Sequence, residues 1–147
     1  MSRQNVLGKH AHQTLAAANA PAILIVDDDV DVLLTLSDSL QRLIPGVRIY
    51  PAESAAEALE YLRMHAVDLV ITDYRMPGLT GIELIETMRQ GNAMPLTILM
   101  TGHPSAGLEY RALHESHFAA IFTKPFEGEA MAAKVIELLT APSIITA

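Results

Sequence analysis

Four apolar runs stop abruptly at polar residues. Ile23-Leu24-Ile25-Val26 ends before Asp27-Asp28-Asp29, and Val67 to Thr72 ends at Asp73. Leu96 to Met100 ends at Thr101-Gly102, and Phe118 to Thr123 ends at Lys124-Pro125. Short runs without polar alternation, closed by turn residues, predict strands covered on both faces. They place strands over about residues 22–27, 67–73, 96–100 and 118–123, with a shorter one, second in order, at Val47 to Tyr50.

Between the strands the apolar spacing changes to the helical period. Val32, Leu33, Leu36, Leu40 and Leu43 predict a helix over about 30–43, capped by Asp29 and stopped by Pro45-Gly46. Ser54-Ala55-Ala56-Glu57 has capping-box spacing and opens a helix to about His65, with Ala55, Ala58, Leu59 and Leu62 inward. Thr80-Gly81-Ile82-Glu83 repeats that spacing and starts a helix to about Gln90, which Gly91-Asn92 ends. From Ser105 to Glu115 the spacing is poorer, around Leu108 and Ala112, so this helix is expected to be held less firmly. Met131, Val135, Leu138 and Leu139 mark a last helix over about Glu127 to Leu139. Met64, Met88, Met100 and Met131 are expected to fill the core.

Five β-α units in succession, with crossovers that strand twist makes right-handed, predict an α/β fold with a doubly wound parallel sheet. At 147 residues this is one domain. Its expected partition is an extension over residues 1–20, a folded unit over 21–140 and a tail over 141–147. His10-Ala11-His12 in the extension lacks a third ligand and is read as inert.

Composition narrows the function. The 17 acidic against 10 basic side chains, a formal charge of −7, argue against a direct nucleic-acid surface. Without cysteine there is no disulfide or thiolate chemistry, which suits a reducing cytoplasm, the expected location. No apolar run is long enough for membrane insertion, and no signal-peptide pattern is present. No DNA-binding, kinase or cyclase segment follows residue 140 in this sequence, so signalling is expected through protein contacts unless the chain is a fragment of a longer regulator.

Parallel strands bring their carboxyl ends, where ligands of open α/β sheets bind, to one edge. Asp27, Asp28, Asp73, Thr101 and Lys124 collect there. Clustered carboxylates repel and are costly to desolvate, and an oxygen-only ligand set favours Mg²⁺. Three carboxylates, Mg²⁺ and Lys124 come to about zero charge, leaving a place for a phosphoryl group. Asp73 stands alone at a central strand end and is the expected nucleophile, with Asp27 and Asp28 as the metal-holding pair.

At these residues the chain resembles the receiver domains of two-component response regulators. Asp27-Asp28 match the acidic pair and Asp73 the phosphoacceptor. Met76-Pro77 with Gly81 match the loop after it, Thr101-Gly102 the hydroxyl-small pair, and Lys124-Pro125-Phe126 the closing motif. The resemblance covers about residues 22–140. It implies a flavodoxin-like sheet in strand order 2-1-3-4-5, and Mg²⁺ held by Asp28, Asp73 and the Arg75 carbonyl, with Asp27 acting through water. It also implies phosphoryl oxygens bound by Thr101 and Lys124, and a cis Lys124-Pro125 bond.

The implied donor is a sensor histidine kinase or phosphotransfer protein. The implied output is a downstream protein target on the face of the fourth helix, fifth strand and fifth helix, with a homodimer left open. The family's aromatic three residues before the Lys is Ile121 here, with Phe122 pointing to the opposite face. Arg75 and His103 stand two places after Asp73 and Thr101, where the family modulates loss of the phosphoryl group, and their bulk points to a shielded phospho-state.

Two other functions compete. Asp27-Asp28-Asp29 contains the Asp-x-Asp of haloacid-dehalogenase-like phosphatases, with Asp27 as nucleophile, although only Glu127, Glu129 and Glu137 follow Lys124 as further acids. Ile121 supports an interaction module that keeps the fold without being phosphorylated. Taken singly, the acidic triplet reads as a helix-end bias, Asp73 as a turn former, Thr101 as a strand-end hydroxyl and Lys124 as a solvated charge.

Overall fold

The structure, a computed structural model, describes residues 20–90 and 94–141. The strands are β1 (Ala22–Val26), β2 (Arg48–Ala52), β3 (Leu69–Asp73), β4 (Leu96–Thr101) and β5 (Ala120–Thr123). They form one parallel sheet in the order β2-β1-β3-β4-β5. The helices are α1 (Val30–Leu43), α2 (Ala55–Met64), α3 (Gly81–Met88), α4 (Ala106–Tyr110, continuing as a π-helical turn Arg111–Glu115) and α5 (Gly128–Thr140). The doubly wound flavodoxin-like architecture expected from the sequence is the one observed.

Strand alternation divides the core. Ile23, Ile25, Ile71, Ile98 and Met100 face Leu33, Leu36 and Leu40 of α1 and Met131 and Val135 of α5. Leu24, Val26, Val70 and Leu99 face Ala58 of α2, Ile82 and Ile85 of α3, and Ala112. Each fully buried Leu or Ile stabilises by about 1.5–3 kcal/mol, and β1 and β3 are buried along their whole length.

Tertiary structure shifts several local expectations. β2 extends to Ala52 and includes Pro51, tolerated because an edge strand can spare a donor. At α2 the Ser54 hydroxyl accepts from the Glu57 N–H, but the Glu57 carboxylate reaches the N–H of Glu53, so the capping box is shifted by one residue. At α3 the box closes as predicted between Thr80 and Glu83. The fourth helix is weak, as its spacing implied: its α-helical part buries no side chain, and only Ala112 of the π turn is buried.

Met64 is a correction, since it is 69% exposed at the end of α2. Ala20, assigned by sequence to the extension, is buried, and its carbonyl accepts from Arg48 Nη2 at 2.9 Å. The expectations for residues 1–19 (the His10-Ala11-His12 reading included), for the Gly91-Asn92 helix stop and for residues 142–147 lie outside the described residues.

Candidate functional site

The crevice beyond the carboxyl ends of β1, β3, β4 and β5 holds the titratable cluster. Asp27 follows β1 directly. Its N–H donates to the Ala52 carbonyl at 3.1 Å, extending the ladder by one step. Its Oδ1 accepts from the Asp29 N–H at 2.9 Å, and Oδ2 meets Lys124 Nζ at 2.7 Å. The carboxylate is therefore buried with both oxygens engaged. Asp28 is exposed beside it. Asp29 caps α1 as its position implied, accepting from the N–H groups of Asp31 and Val32.

Asp73 closes β3. Its side chain is nearly buried, and Oδ1 lies 2.9 Å from Lys124 Nζ. The Tyr74 N–H donates to the Met100 carbonyl at 2.8 Å, so β3 and β4 stay paired up to the site. Gly81 comes so close to the Asp73 carbonyl that a Cβ there would collide with it and press on Leu99 and Thr72. Thr72 donates its hydroxyl to the same carbonyl at 3.0 Å, a contact unmarked in sequence because Thr is an ordinary strand former.

Thr101 ends β4, buried, with its Oγ1 accepting from the His103 N–H at 3.1 Å. The Lys124 N–H donates to the Thr101 carbonyl at 2.8 Å, and the following Pro125 bond is cis. The Lys124 side chain reaches across the crevice, where its ammonium bridges Asp27 and Asp73. Arg75 and His103 are both exposed on the loops after Asp73 and Thr101. Ile121 packs on the face lined by Leu99, whereas Phe122 faces the other side, 5.4 Å from the Phe126 ring.

The electrostatics of the crevice are those of a cluster that could hold a cation. One carboxylate oxygen from each of Asp27, Asp28 and Asp73 lies within 4.8 Å of the others. Burial pushes the Asp73 carboxyl above its ordinary range; the Lys124 hydrogen bond opposes this, and the charges of Asp27 and Asp28 add to it. Burial would lower the Lys124 ammonium, but its hydrogen bonds to Asp27 and Asp73 outweigh that and raise it. Three carboxylates with one ammonium leave two negative charges. The donor set is all oxygen with one exposed member, which fits a hard divalent ion that keeps waters.

The same geometry bears on the phosphatase alternative. Asp27, its nucleophile, is 1% exposed and occupied by Lys124. Among the described residues no further acid joins the cluster. Glu127 begins α5 without a side-chain cap bond, and Glu137 pairs with Lys134.

Residues 23–136 match the family described as response regulator receiver domain. Among curated relatives, the sensor histidine kinase GacS of Pseudomonas protegens is 30% identical over 127 residues, covering 82% of this chain and 13% of that protein. The C4-dicarboxylate transport transcriptional regulatory protein DctD of Rhizobium meliloti is 30% identical over 110 residues, covering 75% of this chain and 23% of that protein. The chain thus spans less than a quarter of either. A CheY-like receiver domain protein from Methanospirillum hungatei superposes with a TM-score of 0.75 at 27% identity, covering 82% of this chain and 94% of that one. With the sheet order, the acidic crevice and the bridging lysine already described, these matches show that the chain belongs to the response regulator receiver family of two-component phosphorelay signalling.

Proposed function

We propose that Asp73 accepts a phosphoryl group from a phosphohistidine of a sensor kinase or phosphotransfer protein. The observation that supports this best is the Lys124 ammonium lying 2.7 Å from Asp27 and 2.9 Å from Asp73. An Asp73 oxygen attacks phosphorus, the O–P bond forms as the N–P bond breaks, and the leaving imidazole takes up a proton. Lys124, already beside the attacking carboxylate, follows the charge onto the phosphoryl oxygens, and the Thr101 hydroxyl supplies a second donor. Mg²⁺ held by Asp28, Asp73 and the Arg75 carbonyl, with Asp27 behind it, would neutralise the transferring group.

Thr101 and Lys124 sit at the ends of β4 and β5, so engaging a phosphoryl group biases the face formed by α4, β5 and α5 toward a protein target. Ile121 does this without an aromatic ring. Arg75 and His103, exposed at the mouth, shield the phosphoryl group from water. Residues 21–140 form the unit that carries all of this.

Incubation with acetyl phosphate and Mg²⁺ is expected to add one phosphoryl group, and Asp73→Asn to abolish it. No uptake, with no response to beryllofluoride, would instead identify a receiver-like module that is not phosphorylated. Phospho-state decay is expected to accelerate in Arg75→Ala or His103→Ala; faster loss in neither would remove their shielding role.

A further inference from the structure

Leu24, Val26, Val70 and Leu99 line the face of the sheet turned to α2 and α3, and strand alternation puts Thr72 on that same face, fully buried. Val has nearly the same shape and would fill the place without taking a hydroxyl out of water. A buried hydroxyl is kept at a cost unless it has a partner.

Its partner is one peptide further along β3. Pairing between β1 and β3 ends at Val26 and Thr72. The N–H of Asp27, next on β1, turns the other way, to the Ala52 carbonyl of β2. The Asp73 carbonyl therefore lies just past the β1 ladder, and Thr72 Oγ1 donates to it at 3.0 Å in place of a strand partner. The other end of the same peptide is held as well, since the Tyr74 N–H donates to the Met100 carbonyl at 2.8 Å. Gly81 closes the slot. A Cβ there would collide with the Asp73 carbonyl and come within 3.1 Å of the Thr72 methyl carbon. The methyl of Thr72 thus packs toward the start of α3 while its hydroxyl holds the carbonyl.

We infer that Thr72 is a positioning residue for Asp73, its hydroxyl fixing the Asp73–Tyr74 peptide and through it the carboxylate. A buried carbonyl that loses its donor turns toward another. With the strand behind it fixed, that turn is absorbed at the Asp73 Cα, which carries the side chain. The carboxylate lies 2.9 Å from Lys124 and shares a space of 4.8 Å with oxygens of Asp27 and Asp28, an arrangement that tolerates little displacement. Thr72 acts only through the backbone. For the rate of phosphoryl uptake the inference rests on Asp73 being the phosphoacceptor; for the peptide itself it does not.

The test compares Thr72→Val, which keeps the shape and removes the hydroxyl, with Thr72→Ser, which keeps the hydroxyl and removes the methyl. Thr97→Val is the control, the same exchange at a buried position near the start of β4. Amide exchange at Tyr74 is read by NMR without metal or phosphoryl donor, Mg²⁺ affinity by calorimetry, and uptake from acetyl phosphate by rate. Thr72→Val is expected to speed Tyr74 exchange and to weaken Mg²⁺ binding and slow uptake, each by about tenfold. Thr72→Ser is expected to restore all three, and Thr97→Val to change none. Unchanged Tyr74 exchange and Mg²⁺ affinity in Thr72→Val overturn the inference. So does a Thr72→Ser protein as impaired as Thr72→Val, which would assign the effect to packing of the methyl, or an equal loss in Thr97→Val, which would show general loosening of the sheet. Should Thr72→Val not fold, Thr72→Ala against Thr72→Ser isolates the same hydroxyl. A wild-type chain that takes up no phosphoryl group overturns the reading of Asp73 instead, and Tyr74 exchange still decides the role of Thr72.

Discussion

At the residue scale the crevice is a compromise between burial and charge. Asp27 and Asp73 share one ammonium, and Asp28 adds a third negative charge to the same few ångströms. Without metal the folded state therefore carries unrelieved repulsion. Asp73→Asn is expected to raise the Tm of the metal-free protein, by about 1 kcal/mol in stability, because Lys124 keeps Asp27 as its partner. Thermal melts in chelator check this, and a lowered Tm would show that the Asp73–Lys124 contact outweighs the repulsion. The raised Asp73 carboxyl has a definite pH consequence. Its charged form is the costly one, so metal-free stability rises as pH falls through its folded pKa, whereas Mg²⁺ needs the carboxylate and loses affinity over that same descent. Titration by calorimetry should show Mg²⁺ binding releasing protons, weakening at a pH above the ordinary carboxylate range. Lys124 behaves oppositely: its contribution is fully present below 10.5 and is lost as pH rises beyond its elevated folded value.

At the scale of elements, the site depends on how closely α3 approaches β3. Thr80 and Glu83 begin α3 with a reciprocal cap, and the next position, Gly81, is pressed against the Asp73 carbonyl. A methyl group there has to displace backbone at a strand end rather than a flexible side chain. Gly81→Ala is expected to cost about 2 kcal/mol in chemical denaturation and to weaken Mg²⁺ binding as well. Full retention of both would show that the α3 start can retreat without moving Asp73. The Thr80 cap was legible from Thr-x-x-Glu spacing alone. The crowding at Gly81 was not, because it arises between residues on different elements. The same limit explains α2, where the capping-box spacing was present but Glu57 turned to Glu53. It explains Met64 too: an apolar residue at a helix end looks like core, and only the packing of the elements around it leaves it exposed.

At the scale of the molecule, binding at the crevice is binding to the fold. Asp27, Asp28 and Asp73 come from two separate strand ends, so the unfolded chain has no such site. Mg²⁺ is then expected to stabilise the protein by about 2.7 kcal/mol when present at 100 times its Kd. Scanning calorimetry across a Mg²⁺ series measures this, and Asp28→Asn should remove most of the increase. An Mg²⁺-independent Tm would argue against a cation site in this crevice.

The sequence by itself determined which stretches become strands and helices, because buried parallel strands and amphipathic helices leave periodic apolar patterns that local sterics read in only one way. It also determined which residues stand at strand ends, since a run that stops at Asp73 or Lys124 must deliver that side chain to the sheet's carboxyl edge. Tertiary structure alone decided that one ammonium would be shared by Asp27 and Asp73, that Gly81 would touch the Asp73 carbonyl, and that Phe122 rather than Ile121 would meet Phe126. These are distances between residues far apart in the chain, set by how the layers pack, and no local pattern encodes them.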